Sequence, residues 1–335
     1  MVAKSAGVSL ATASYAVGNN PKISGKTRIK VQRVARKLGY IPNPELGRLM
    51  HLLRAGRTPA QQSTIALLSF NVQPRVKRNN YWVRLVEGVY QRGKELGYSV
   101  DPITVDPKEI ESGRLTKILS SRGAQGVLIP PLHQVIDCAH LAEWTQFSVV
   151  AATYTAQNLA VNRVVPHHLQ IGMQALEVLR KKGFKRVGLI TEAGDHERVI
   201  YSFLAALAMH QQMGRFARIP ALLYPANGAV AKWYEKNLPD VILTTESHLA
   251  VALREIIGAR RIANSPIFLL NHPGQGLSPI SGTYQHPEIV GRIAVDLLAA
   301  QIQRGERGFV QHPNATMVEG SWIDSCANYQ IIDTK

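Results

Sequence analysis

The side chains able to do chemistry in this chain fall into three groups. The first is cationic. Lys4, Lys22, Lys26, Arg28, Lys30, Arg33, Arg36, Lys37, Arg48, Arg54 and Arg57 stand against Glu45 alone in residues 1–60, and Arg75, Lys77 and Arg78 extend the run. Most of the chain's formal net charge of +16 therefore sits in its first fifth. Clustered lysine and arginine are what phosphate neutralisation requires, so this end points to a polyanion. The second group is His133, Cys138, His140 and the pair His167-His168. Adjacent histidines project in different directions, and neither set has structural zinc spacing, so no metal is expected. The third is the loop His272-Pro273-Gly274-Gln275-Gly276, which is neither GxGxxG nor GxxxxGK. No GxSxG elbow occurs either. With no catalytic set, the chain is not expected to be an enzyme or to hold a cofactor.

These groups must be carried by elements, and the N-terminal ones are written plainly. Val2–Ala6 reads as a short helix closed by Gly7. Ser9 is a good N-cap for a second helix over 10–17, and Gly18-Asn19-Asn20-Pro21 breaks the chain. Ser24 caps a third helix, roughly 25–38. Val31, Val34, Ala35 and Leu38 form its buried stripe by their i, i+3, i+4, i+7 spacing, with Lys26, Lys30, Arg33 and Lys37 off it. The short link between the first two helices is that of a helix-turn-helix. Two distant cysteines, Cys138 and Cys326, exclude a disulfide scaffold and fit a reducing cytoplasm. No apolar run reaches membrane length, and Met-Val-Ala-Lys-Ser-Ala-Gly is no signal core, so neither membrane insertion nor export is expected.

The head resembles the DNA-binding head of the lac-repressor (LacI/GalR) family. That family writes V-A-x-x-A-G-V-S-x-x-T-V-S-R-V-L-N, then P-x-V-S-x-x-T-R-x-x-V, then L-G-Y-x-P-N. Here stand Val2-Ala3, Ala6-Gly7-Val8-Ser9, Thr12, Ser14, Pro21, Ile23-Ser24, Thr27-Arg28, Val31 and Leu38-Gly39-Tyr40-Ile41-Pro42-Asn43. The resemblance implies that the second helix enters the major groove, with Leu10, Ala11 and Tyr15 at the base-reading positions. None of these three can fork onto guanine, so apolar or hydroxyl contacts would dominate. Ser9, Thr12, Ser14 and Asn19 would bond phosphates, and Arg28 would grip all sequences alike. Ser9 could equally be only a cap, and Thr12 only a core-facing residue. The family's pattern carries a few more residues ahead of Val2, so a short first helix is expected.

A hinge helix is implied over Pro44–Arg54, with Leu49 as the side chain that wedges into the minor groove, or else as a dimer-packing residue. Gly47 weakens that helix by about 1 kcal/mol against alanine, as a helix that forms only on DNA requires. The domains expected are a head over 1–43, a hinge helix and linker over 44–63, and a core over 64–335.

In the core, apolar runs alternate with helical periods. Strands are expected at 65–68, 99–105, 126–129, 148–152, 187–191, 221–224, 241–243 and 267–270. Helices are expected at 80–96, 109–121, 136–146, 169–182, 197–213, 229–236 and 247–258. Such alternation builds parallel sheets wound right-handedly. The fold class is α/β: a small all-α helix-turn-helix head plus a two-lobed, periplasmic-binding-protein-like core of doubly wound parallel sheets. The first lobe is placed at about 64–158 plus 286–310, the second at about 159–285 plus 311–330. The core also resembles that of the family, through Asn80-Tyr81-Trp82 with Gly88, Gly183-Phe184-Lys185-Arg186-Val187, Pro239-Asp240-Val241-Ile242, and Gln285-His286-Pro287 with Gly291.

The resemblance loosens where a ligand would bind. The family's D-N falls on His167-His168, its G-Y-D on Leu269-Leu270-Asn271, and its effector arginine on Val199, one place from Arg198. Tyr81, Trp82, Arg198, Glu246 and Asn271 are the candidates for a mixed polar and aromatic effector cleft, with lobe packing the other reading of Tyr81 and Trp82. The function implied is a DNA-binding transcription regulator, a cytoplasmic, nucleoid-associated repressor. It would act as a homodimer on a pseudo-palindromic operator, modulated by a small molecule. The alternative is a two-lobed solute-binding protein without DNA-binding activity. Beyond Ser325 there are no leucine heptads, so a tetramer-forming coiled coil is not expected.

Overall fold

The computed structural model describes residues 2–18, 23–40, 63–70, 80–106, 113–192, 194–224, 228–262 and 264–325. It divides into two compact units, Met1–Gln61 and Gln62–Lys335. The first unit holds α1 (Val2–Ala6), α2 (Leu10–Val17) and α3 (Gly25–Lys37). Two hydroxyls set where α2 and α3 begin. Ser9 Oγ accepts from the Thr12 N–H at 3.1 Å, and Ser24 Oγ accepts from the Thr27 N–H at 3.3 Å. Each satisfies a backbone donor that the first helical turn leaves orphaned. Val2, Ala6, Ala13, Ala16, Val31 and Ala35 make the core of this unit. Four of these six are alanines, which lets the three helices approach closely. Gln32 Nε2 donates to the Ala16 carbonyl at 3.1 Å and ties α3 to the end of α2. Leu38 departs from the expected stripe. It sits at the C-cap, where the helical direction ends, and is 45% exposed.

In the larger unit, the strands are β1 (Thr64–Phe70), β2 (Ser99–Val105), β3 (Ala124–Ile129), β4 (Ile136–Asp137), β5 (Ser148–Ala151), β6 (Ala156–Gln157) and β7 (Asn162–Pro166). They continue as β8 (Val187–Glu192), β9 (Leu222–Tyr224), β10 (Val241–Thr244), β11 (Ile267–Leu269), β12 (Gly282–Tyr284), β13 (Ala315–Val318) and β14 (Ser321–Ile323). The helices are α4 (Asn80–Glu95), α5 (Arg114–Ser121), α6 (His168–Lys181), α7 (Asp195–Arg198), α8 (Ser202–Gln212), α9 (Ala229–Asn237), α10 (Ser247–Ile257), α11 (Ala259–Ile262) and α12 (Pro287–Arg304). One six-stranded sheet has the order β13-β7-β5-β3-β1-β2 and the other β14-β12-β11-β10-β8-β9. All pairs are parallel except β14 against β12.

Both faces of each sheet are apolar. Ala66, Leu68, Val127 and Ile129 pack into one cluster, and their neighbours Ile65, Leu67 and Leu128 into another on the opposite face. The second sheet divides in the same way, Leu189 and Leu243 from Ile190 and Ile242. Burial on both faces is why these strands read as continuous apolar runs.

The first sheet takes β7 and β13, both of which the expected lobe boundaries placed with the second. The chain therefore changes lobe at three places: Pro166 to His168, Tyr284 to Pro287, and Val318 to Ser321. These crossovers lie side by side. The His167 N–H donates to the Val318 carbonyl at 2.7 Å, and His286 Nε2 shares a 2.9 Å hydrogen bond with Ser321 Oγ.

Two expected helices are corrected. Residues 136–146 form no helix; β4 pairs with β6, turns follow, and a single 3-10 turn closes at Trp144–Gln146. Asp137 Oδ1 accepts from the Ala139 N–H at 2.9 Å, a side-chain turn that competes with the helix. Trp144 Nε1 fixes the loop by donating to the Cys138 carbonyl at 2.9 Å. The expected 197–213 helix is broken into α7 and α8, because Ile200 and Tyr201 adopt φ 49° and 54°.

Candidate functional site

The second helix of the head has two unlike faces. Ala13 and Ala16 are buried, whereas Leu10 (77%), Ala11, Ser14 and Tyr15 (37%) are exposed. Positions 10, 11, 14 and 15 share one side of a helix, so the exposed set forms a continuous face. Leu10, Ala11 and Tyr15 are thus directed outward, not into the core. Thr12 is half-buried and its hydroxyl lies 2.8 Å from that of Ser9. Lys4, Lys26, Lys30, Arg33, Arg36 and Lys37 of the same unit are exposed and Arg28 is half-buried. The described head residues include no carboxylate, so nothing within them offsets the field. Asn19 and Leu49 lie outside the described residues.

In the larger unit a cleft opens beyond the carboxyl ends of the parallel strands. That is where the strand-to-helix turns of open α/β sheets converge on a ligand. Tyr81 comes from the first turn of α4, Tyr154 follows β5, and His168 lies at the first crossover. Asp195 and Arg198 come from α7, Thr245 and Glu246 follow β10, Asn271 follows β11, and Gln285 lies at the second crossover.

Asp195 is the organising group. Its carboxylate accepts from Thr245 Oγ1 at 2.6 Å, from the Glu192 N–H at 3.3 Å and from Arg198 Nη1 at 3.3 Å. Glu246 accepts from Asn271 Nδ2 at 2.9 Å. Burial raises the Glu246 pKa against that hydrogen bond, and the nearby Asp195 charge adds to the rise. His168 is pushed the other way, to about 3, first by burial and then by the Arg198 and His167 charges, so its imidazole is neutral. Phe203 meets its ring edge-on at 5.7 Å, and the tilted Tyr154 ring lies 6.4 Å away. Burial also raises the Tyr81 phenol, which stays protonated.

Two buried atoms in this wall, His168 Nδ1 and Arg198 Nε, have no hydrogen-bond partner among the described residues. An unmade hydrogen bond at a buried polar atom is costly, so a polar guest that supplies it is favoured. The cleft thus offers directional polar groups between aromatic walls, which is the chemistry of recognition. Among the described residues, no three His, Cys, Asp or Glu side chains come together as a metal site would need.

Tyr81, Arg198, Glu246 and Asn271 are therefore brought into one cleft. Trp82 does not line it; one residue's step around a helix separates it from Tyr81. Asp195, Tyr154, Thr245 and Gln285 were missed by the sequence reading, and His168 was seen only as a departure from a family motif. The signal that would have found them is position, since each follows the end of a strand.

Residues 2–43 match the family model described as bacterial regulatory proteins, lacI family. The head is thus similar to the heads of bacterial regulatory proteins of that family. Among curated relatives, the HTH-type transcriptional regulator DegA of Bacillus subtilis (strain 168) is 28% identical over 197 residues. The match covers 58% of this chain and 55% of DegA, so the chain spans about half the length of the curated relatives it matches. The solved transcriptional regulator CelR–cellobiose complex superposes with a TM-score of 0.61 at 20% identity, over 97% of both chains. The lac repressor dimer bound to operator and the anti-inducer ONPF superposes with a TM-score of 0.57 at 21% identity, over 96% of both. These likenesses establish the fold: a helix-turn-helix head with a two-lobed, periplasmic-binding-protein-like core. Among the described residues no helix is long and apolar enough to cross a membrane.

Proposed function

We propose that this chain is a lacI-family, sequence-specific DNA-binding transcription regulator, acting in the cytoplasm as a repressor, whose hold on its operator is modulated by a small molecule in the inter-lobe cleft. The observation that carries the reading is the outward face Leu10-Ala11-Ser14-Tyr15, set in a cationic head that matches the lacI family. One such head reads only a half-site, so a homodimer on a pseudo-palindromic duplex is the working form. The solved relative bound to operator supports this partner, and the one bound to cellobiose supports a polar ligand in the cleft. A solute-binding protein without DNA-binding activity gives no use to residues 2–43.

The core supplies a two-state element. Two lobes joined by three neighbouring crossovers can close on a guest with little change inside either lobe. His168 and Gln285 lie at two of those crossovers and also line the cleft, so a ligand touches the pivots directly. A guest that prefers one lobe angle shifts the population, and coupling of about 1–3 kcal/mol is the usual size of such an effect.

The test is a gel shift of the full chain on its own upstream region and on random DNA at several salt concentrations. Preferred binding to one region, with an affinity falling steeply with salt, supports the reading. Equal affinity for all duplexes, or none, overturns it.

A further inference from the structure

The helix expected to face the groove has the sequence Leu-Ala-Thr-Ala-Ser-Tyr-Ala-Val over Leu10–Val17. It carries no Arg, Lys, Asn, Gln, Asp or Glu. The two-pronged contacts that single out guanine or adenine in the major groove all use one of those side chains. What the helix offers instead is aliphatic. Leu10 is 77% exposed, Ala11 is exposed beside it, and the Tyr15 ring is 37% exposed one turn further on. Leu10 has no place in the core of the head, which Ala13 and Ala16 fill from the other side of the helix. A leucine left this open gains most by being covered, and the exposed Lys26, Lys30, Arg33 and Lys37 of the next helix favour a polyanion as the cover. On the floor of the major groove, one natural base presents an aliphatic group, the C5-methyl of thymine.

We propose that this protein reads its half-site through thymine methyl groups, with Leu10 and Ala11 packing on them and the Ser14 and Tyr15 hydroxyls adding single hydrogen bonds. The inference rests on the DNA-regulator reading above and adds the chemistry that the operator must present. Leu10 supplies specificity by shape and apolar contact, and the cations supply affinity without choice of sequence.

The experiment is selection of duplexes from a random pool by the full-length chain, followed by resynthesis of the selected site with deoxyuridine in place of thymidine, one position at a time. Uracil keeps every hydrogen-bonding group of thymine and loses only the methyl. The expected result is one or two positions per half-site at which uracil weakens binding about fourfold, the effect of withdrawing one buried methyl group. With both symmetric half-sites changed, the loss is about fifteenfold if the two act independently. Leu10→Ala should abolish the penalty at one of these positions and leave the others. The exposed position makes that variant safe for folding, and circular dichroism confirms it.

A selected site that tolerates uracil throughout overturns the inference alone, as does one whose uracil penalties are the same in Leu10→Ala. A pool that yields no common sequence overturns both the inference and the regulator reading.

Discussion

Gly291→Ala tests how the first lobe holds its side of the cleft. Helices α4 and α12 cross at two reciprocal glycines. A Cβ on Gly291 would overlap the Leu85 carbonyl oxygen and stand 3.1 Å from the Val89 nitrogen, and a Cβ on Gly88 would overlap the Glu288 carbonyl. Each obstacle is backbone, which cannot swing aside as a side chain would, so the helices must separate. Overpacking costs about 1–3 kcal/mol, and rigid obstacles place this case near 3. Alanine's better helix propensity offsets about 1 kcal/mol, leaving a net loss of about 2. For a unit of this size that is a fall in Tm of roughly 4–8 °C. Gly88→Ala should behave alike. The double variant should lose less than the sum, about 3 kcal/mol instead of 4, because one separation relieves both clashes. Calorimetry with guanidinium unfolding followed by circular dichroism measures all three. A Gly291→Ala protein as stable as the parent, or more so, would refute the close crossing.

Other expectations concern the cleft and the head. His168 has a folded-state pKa of about 3 against an ordinary 6.5. Between those values the unfolded chain takes up a proton that the folded chain refuses. The stability this histidine contributes is therefore complete above pH 6.5 and is lost as the pH falls towards 3. Urea unfolding across pH 4–8 should show that decline, and His168→Gln should flatten it; an unchanged slope would contradict the burial. Asp195→Ala strips Arg198 and Thr245 of their partner. Because Arg198 is partly solvated, the expected cost is about 2 kcal/mol, below the range for a fully buried pair; a loss under about 0.5 kcal/mol, the scale of an ordinary surface change, would deny the network its role. In the head, Ser9→Ala should cost about 1 kcal/mol through loss of the cap, while Leu10→Ala costs almost nothing. Hydrogen exchange of the α2 amides distinguishes the two, and equal protection in both variants would count against the cap.

The head could be read from the sequence because its signals are local. Ser9 and Ser24 as caps, Gly7 as a turn and Val31 with Ala35 as a stripe each act within a few residues. Leu38 failed because a stripe drawn by periodicity continues past the point where the helix stops. The core strands were visible as apolar runs, but not the sheet each would join. Asn162–Pro166 and Ala315–Val318 enter the first sheet by pairing with distant partners, which no local pattern encodes. Residues 136–146 misled for a different reason. Cys138, Leu141 and Trp144 are all buried at three-residue spacing, as on a helix, while the Asp137 side chain diverts the backbone into a turn. The cleft was half-seen. Tyr81, Arg198, Glu246 and Asn271 are legible in the sequence as residue types suited to a ligand. Asp195, which organises three of the neighbouring groups, became visible only once β8 and β10 stood side by side.

The central claim is that the open face of α2 meets the base edges of a duplex. A photo-crosslinking residue placed at Tyr15, and separately at Ala11, in the full-length chain tests this directly, with Met209 of the larger unit as the control position. Crosslinks are expected from positions 15 and 11 to one or two defined bases in each half-site of the selected duplex, lost at high salt, with none from position 209. Crosslinks confined to protein, or spread without preference along the DNA, would contradict it.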